Sequence, residues 1–426
     1  MPSLLGRLNA AIPPSRVARR LAGQSVLFAI GEGTFNTGSA VFFVEVTGLS
    51  AAQVGLGLTI GGLVSFAAAY PAGKLVDRYG PKRLWWMGTL ASAALFCVWP
   101  FLHGMLVYVA MRIVGSLIGQ LGQAAWMPYT LDVLPQEDRV RSQAFSYSAI
   151  NLGFTLGAVL GGVALAFNDI SIVRALPWVS AGLGLINAFF IWRLPDAEHD
   201  RRAAAARSTV AALEKAVKDT SASPLRNRGF LAVSFLDGII GSHQVLLNTV
   251  IPLWLVQRTD APHVLLAWLF GTNTVMCIFL PQVTSRGVRD IPTAVRAIWK
   301  SAFFFTLSCV IVLFTHDTLG GLTIFLVWLG HATVTMSELF NAGGRWAFMS
   351  QLFDPERRGE YNGAADLAST LGSVWAPALF TFLAMDLGAG GWLTMAALIV
   401  LSAAFTGPAA RSAERFLAAR TVPAPA

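Results

Sequence analysis

The sequence predicts an all-α membrane protein of twelve transmembrane helices, arranged as two pseudo-symmetric six-helix bundles. Three observations carry this reading. Of the 426 residues 55% are hydrophobic and only 13% are charged, with a mean hydropathy of +0.59, whereas a soluble chain carries about a quarter charged residues. Apolar runs long enough to cross a bilayer, about 20 residues each, recur along the chain between short polar loops. Lysine and arginine concentrate in every second loop, and only Arg174 and Arg258 fall on the opposite side. That asymmetry is expected to set both termini in the cytoplasm of a multi-pass protein of the inner (plasma) membrane.

The net charge of +8 is explained by orientation, so no nucleic-acid partner is expected. Cys97, Cys277 and Cys309 all lie in apolar runs, where they act as small hydrophobes; there is no metal or disulfide spacing, and no cofactor is expected. The N-terminus carries Arg7, Arg16, Arg19 and Arg20 ahead of a long apolar run. It lacks the short apolar region and cleavage site of a signal peptide, so residues 1–20 read as a cytoplasmic tail.

In chain order, helix 1 is expected over 21–46 and helix 2 over 54–72, separated by a turn without lysine or arginine. A charged hinge follows over 73–83. Helices 3 and 4 are expected over 84–102 and 105–133, then an inside loop, Leu134-Pro135-Gln136-Glu137-Asp138-Arg139-Val140-Arg141, leads to helix 5 over 142–167. Helix 6 ends near 192 and completes an N-terminal bundle over 21–192. The polar segment 193–228, alanine-rich and basic, reads as a cytoplasmic linker: a surface helix lying along the cytoplasmic face, or a partly ordered connector. A C-terminal bundle over 229–408 holds helices 7 (229–256), 8 (263–283), 9 (297–314), 10 (320–345), 11 (to 384) and 12 (392–405), ahead of a cytoplasmic tail over 409–426.

The halves mirror each other at an offset slightly over two hundred residues. Pro71 answers to Pro281, Pro135 to Pro355, and Gly153-x-x-x-Gly157-Ala158 to Gly372-x-x-x-Ala376-Pro377. A duplicated six-helix bundle places a substrate path between the repeats near mid-membrane.

The hinge reads Gly73-Lys74-Leu75-Val76-Asp77-Arg78-Tyr79-Gly80-Pro81-Lys82-Arg83. It is too short to separate its flanking spans, which must be antiparallel neighbours, and Gly73 and Gly80 are expected to permit tight turns. The spacing Gly-x-x-x-Asp-Arg-x-Gly-x-Lys-Arg resembles the signature loop between helices 2 and 3 of the major facilitator superfamily, with Pro81 where the family usually has a basic residue. The resemblance covers about residues 20 to 408. It implies a cytoplasmic conformational latch formed by Gly73, Asp77, Arg78, Gly80, Lys82, Arg83 and Arg139.

Helical periodicity aligns the polar groups inside the spans. Gln24, Glu32, Asn36 and Ser39 share a face of helix 1; Arg112, Ser116, Gln120, Gln123 and Thr130 share one of helix 4. Ser234, Asp237, Gly241, Gln244 and Asn248 share a face of helix 7; His331, Thr335, Glu338, Asn341 and Arg345 share one of helix 10. In the family resembled, these four helices line the central cavity. A carboxylate desolvated in a span can take up and release a proton near neutral pH, so Glu32, Asp237 and Glu338 are the expected proton-coupling groups. A permanent ion pair is the alternative for Glu32, with a cation such as Arg112, and for Glu338; for Asp237 the alternative is wetting by the cytoplasm. Arg112, His331 and Arg345 are the expected charge-pairing groups; Asp366 is expected to pair with a loop base. Phe35, Asn36, Gln120, Gln123, Trp126, Tyr129, Gln244, Asn248 and Asn341 are the candidate substrate-binding residues, the aromatic ones suiting an amphipathic organic molecule.

Helix 5 carries Gly153, Gly157, Gly161 and Gly162, small residues that allow close helix packing. Their spacing resembles the helix 5 motif of the family's antiporters, with Ala158 where a proline is usual, and implies export. No phosphate-binding Walker loop occurs, and no nucleophile with a spaced base suggests an enzyme. Resemblance to the family's drug–proton antiporter group implies the expected function, secondary active transport: proton-coupled efflux of small amphipathic organics by a monomer in the bilayer. The alternative is proton symport or uniport of an imported metabolite; a non-transporting membrane sensor ranks behind both.

Overall fold

Side-chain caps set where several spans begin. Ser50 forms a capping box with Gln53, Asp169 accepts from the Ser171 amide, Asn227 from the Phe230 amide, and Asp290 from the Thr293 amide. Each satisfies a first-turn N–H that a helix leaves unpaired. The computed structural model describes residues 15–167, 169–207 and 223–421; much of the 193–228 linker and of the first expected tail lies outside them. Among the described residues the structure is helical throughout, with no strand.

In chain order the spans are α1 (Arg16–Val41), α2 (Ala51–Tyr79), α3 (Pro81–Val98), α4 (Met105–Val133), α5 (Arg139–Ala166) and α6 (Ile170–Trp192). A short helix, Glu198–Arg207, follows. Then come α7 (Arg228–Arg258), α8 (Leu265–Phe279), α9 (Ile291–Phe314), α10 (Gly321–Leu352), α11 (Arg358–Asp386) and α12 (Gly388–Thr421). Ten of the twelve are long and apolar enough to cross a bilayer. The other two are α1, which begins among arginines, and α8, which spans 15 residues before one further turn at Pro281–Thr284. A π-helical turn, Phe42–Val46, continues α1, and another, Leu246–Val250, lies within α7, so the first span of each half carries the same irregularity.

Several boundaries differ from the sequence reading: α9 begins at Ile291 and α10 runs on to Leu352, each past its expected limit. The hinge is helical: α2 continues to Tyr79 and α3 starts at Pro81, leaving Gly80 alone at φ 94° as the turn. Gly73 therefore lies inside α2 and makes no turn; its missing side chain lets the Gly359 carbonyl approach. α12 extends through Thr421 instead of ending near 405, with Pro408 inside it.

The chain forms two compact units. The first takes in the chain up to Asp138, Phe145–Ser223 and Asp354–Ala364; the second takes in Arg139–Ala144, Pro224–Phe353 and the chain from Ala365. Within the first, α1 and α5 meet backbone to backbone. A methyl at Gly153 would lie 2.5 Å from the Val26 carbonyl oxygen, one at Gly157 2.5 Å from that of Ile30, and one at Gly161 2.6 Å from that of Thr34. Gly162 has open space and takes no part in this seam. The second unit repeats the device, with Gly238 against Ser369 and Gly372 against the Phe235 carbonyl.

Candidate functional site

Each unit carries its own cluster of intramembrane polar groups. In the first, α1, α3, α4 and α6 enclose a cavity of about 510 Å³. Glu32, Gln24, Ser116, Gln120, Gln123, Asn187 and Ser180 supply its polar lining; Phe28, Trp85, Phe96 and Trp126 supply aromatic faces. Glu32, Gln120 and Gln123, from the stripes of helices 1 and 4, meet here, and Trp126, named as a cavity aromatic, lines the same space. Gln24 is 3% exposed. Its amide nitrogen donates to Asn187 Oδ1 (3.0 Å), and its carbonyl oxygen is buried without a partner. Such an orphaned acceptor is costly in an apolar interior and is satisfied by a donor from a guest or a water.

Other expected residues sit elsewhere. Phe35 is buried edge-to-face against Phe42, Phe43 and Phe96, so it packs the core. Asn36 is exposed and outside the cavity lining. Tyr129 is fully buried against Trp85, and its hydroxyl donates to the Pro195 carbonyl (2.8 Å); it ties α4 to the chain after α6 and does not reach the cavity. Arg112 is half-buried beside Ser116 and Gly61, with its Nε unpartnered among the described residues.

In the second unit Glu338, 5% exposed, is held by amides. Gln244 Nε2 donates to Oε1 (2.8 Å) and Asn273 Nδ2 to Oε2 (3.0 Å). Asn273 also reaches Thr335 (3.2 Å), and Asn248 donates to Gln244 Oε1 (3.0 Å). Sequence reasoning missed Asn273. Its signal was an amide in the apolar run of helix 8, a span that showed no stripe. Arg345 does not pair with Glu338. Its guanidinium lies 3.4 Å from Asp237 and 3.9 Å from Asp366, one cation between two carboxylates from α7 and α11. Asp366 thus pairs within the spans and not with a loop base. His331 is 1% exposed, edge-to-face on Phe270, and faces the Leu247 backbone and the Glu338 carboxylate; among the described residues it forms no ion pair. Asn341 is buried with its Oδ1 unpartnered.

The hinge residues form a third cluster, within the first unit. Asp77 Oδ1 accepts from the Gly359 amide (2.7 Å) and Oδ2 from the Glu360 amide (2.8 Å). It caps the α11 N-terminus, where unpaired N–H groups favour an anion. Asp132 accepts from Arg358 (2.5 Å) and from the His199 amide (2.8 Å). The His199 ring donates to the Asp77 carbonyl (2.8 Å). Lys82 binds Asp196 (2.6 Å) and the Leu194 carbonyl (2.5 Å). Asp200 accepts from the Lys82 amide (3.0 Å) at the start of α3; burial pushes its carboxyl above the usual carboxylate range, against the pull of the Ala197, Lys82 and Arg83 amides. Arg78 stacks over Tyr79, and Arg83 lies beside Trp86 on the outer surface. Arg139, in the second unit, donates to the Ser350 carbonyl (3.4 Å). Asp132 and His199 were not legible as partners of the hinge, because residues far apart in sequence supply them.

The chain matches the family model described as Major Facilitator Superfamily over residues 21–377. A curated relative, the Na(+), Li(+), K(+)/H(+) antiporter of Planococcus maritimus, is 27% identical over 361 residues, covering 79% of this chain and 82% of the relative. Among solved structures, the human organic anion transporter MFSD10 (TETRAN) superposes with a TM-score of 0.65 at 16% identity, over 93% of this chain and 100% of the other. The proton:xylose symporter XylE superposes with a TM-score of 0.63 at 16% identity, over 91% and 94%. These solved structures share the fold. With the family model spanning most of the sequence, the chain belongs to the Major Facilitator Superfamily of membrane transporters.

Proposed function

We propose that the protein is a proton-coupled antiporter that exports small amphipathic organic molecules from the cytoplasm by alternating access. The observation that carries this is the cavity of about 510 Å³ in the first unit, a volume suited to a drug-sized guest. It joins one carboxylate, Glu32, to aromatic faces and to a buried acceptor on Gln24 that lacks a partner. A guest with a polar, donor-bearing end and an apolar body satisfies both linings. Glu32, Asp237 and Glu338 exchange protons; Arg345 holds Asp237 charged when no proton is bound, and Arg112 acts on Glu32. Asp77 steadies the cytoplasmic end of α11, with Arg78, Gly80, Lys82, Arg83 and Arg139 as the remainder of a latch, and both termini face the cytoplasm of the inner membrane. The protein works as a monomer of two bundles, 21–192 and 229–408, joined by the 193–228 linker.

A second reading, exchange of alkali cations for protons, is favoured by the Planococcus maritimus relative. Proteoliposomes holding a pH-sensitive dye and an imposed pH gradient separate the two. A lipophilic organic cation is expected to dissipate the gradient, and Glu32→Gln to abolish that response. A response to sodium or potassium with none to organic cations selects the second reading. Uptake driven by an acid exterior overturns antiport altogether.

A further inference from the structure

At one end of α3 and α6, apart from the proposed substrate cavity, lies a notch of about 330 Å³. Arg83, Arg201, Trp86, Trp192 and Tyr79 line it together with Lys82, Asp196 and Asp200. The charges are not equivalent. Lys82 is neutralised by Asp196 (2.6 Å), and Asp200 is held by backbone amides. The guanidiniums of Arg83 and Arg201 are exposed and have no ion-pair partner among the described residues. Two open cations thus face a concave site walled by indole rings.

What lies beneath the notch identifies the ligand. On α3 an exposed stripe descends from Arg83 through Met87, Leu90, Ala94 and Val98; on α6 another descends from Trp192 through Phe189, Leu185, Gly182 and Trp178. The stripes run side by side, because the Trp178 indole donates to the Cys97 carbonyl (3.2 Å) and its ring meets Phe101. A cationic notch thus stands directly above a two-helix apolar surface about 22 Å long, with tryptophans where span and polar segment meet. Tryptophan favours the membrane–water boundary, and basic pockets between spans hold anionic lipid heads.

We propose that this notch binds the phosphate head of an anionic phospholipid, with Arg83 and Arg201 on the phosphate, Trp86 and Trp192 at the glycerol level, and the acyl chains along the α3–α6 stripes. Because Lys82, Asp196 and Asp200 share the wall and fix the short helix Glu198–Arg207 to the start of α3, a lipid seated there also braces the segment that contacts Asp77.

Native mass spectrometry of the full-length protein, delipidated in detergent and offered phosphatidylglycerol and phosphatidylcholine of matched chains, tests this. Retention of phosphatidylglycerol is expected, and the double variant Arg83→Ala/Arg201→Ala is expected to weaken it about thirty-fold, while Arg83→Lys/Arg201→Lys keeps most of it. Should the double alanine variant not fold, Arg201→Ala alone, on the exposed short helix, carries the test with about a five-fold loss. Inorganic phosphate is expected not to displace the lipid, since it gains nothing from the stripes. Equal retention of both lipids, an unchanged preference in the alanine variants, or full displacement by inorganic phosphate overturns the proposal.

Discussion

Glu338 shows what one residue's surroundings demand. Both carboxylate oxygens accept from amide nitrogens, Gln244 on one side and Asn273 on the other. Glu338→Gln turns one of these positions into donor against donor and leaves a buried group unpaired, at a cost of about 1–3 kcal/mol. Proton-driven exchange in proteoliposomes is expected to disappear and the melting temperature to fall modestly; unchanged exchange would remove Glu338 from the coupling scheme. Asp290 gives a cleaner case outside the spans. The Thr293 hydroxyl and amide hold its carboxyl below the usual carboxylate range. A depressed folded-state value means its contribution is present above the ordinary carboxylate value and is lost as the pH falls through the folded one. Asp290→Ala is therefore expected to lower stability by about 1 kcal/mol at neutral pH, and the gap to the parent protein is expected to close on acidification. Thermal melts at both pH values check this.

Among elements, α1 and α5 depend on glycine to meet. With the Ile30 carbonyl oxygen 2.5 Å from where a methyl on residue 157 would sit, Gly157→Leu must part the helices. Loss of monodisperse protein, or a melting temperature well below that of the parent, is the expected readout; Gly162→Ala, which meets open space, is expected to behave as the parent and serves as the control. At the other end of the first unit, Asp77 caps α11 with both oxygens. Asp77→Ala is expected to cost about 1–2 kcal/mol, measured as a lowered melting temperature, whereas Asp77→Asn keeps an acceptor and is expected to fall between the two.

Across the molecule, the two halves share one construction and differ in their polar interiors. Each opens with a span carrying a π-helical turn and seals that span against its fifth helix through glycine. The first half surrounds its carboxylate with a cavity; the second surrounds Glu338 with amides and sets Arg345 between two acids. With Arg345→Ala, Asp237 and Asp366 face each other without a cation, and breaking such an arrangement destabilises by about 3–5 kcal/mol when the groups are buried; the 41% exposure of the Arg345 side chain places the expected loss below that range. A thermal melt of this variant no different from the parent would show that solvent already screens the trio.

Order along the chain determined the spans, their pairing and the helices on which ionisable groups stand, because apolar length and a 3.6-residue period are local properties. The placement of Glu32, Gln120 and Gln123 beside the cavity was legible for the same reason: one helical face carries each set. Tertiary structure alone decided that Gly73 serves close approach and not a turn, that Tyr129 and Phe35 pack away from the cavity, that Asn273 joins Glu338, and that Arg345 belongs to Asp237 and Asp366. Those outcomes turn on which side chains from distant spans arrive at the same depth and angle, and no periodicity within a single helix contains that information.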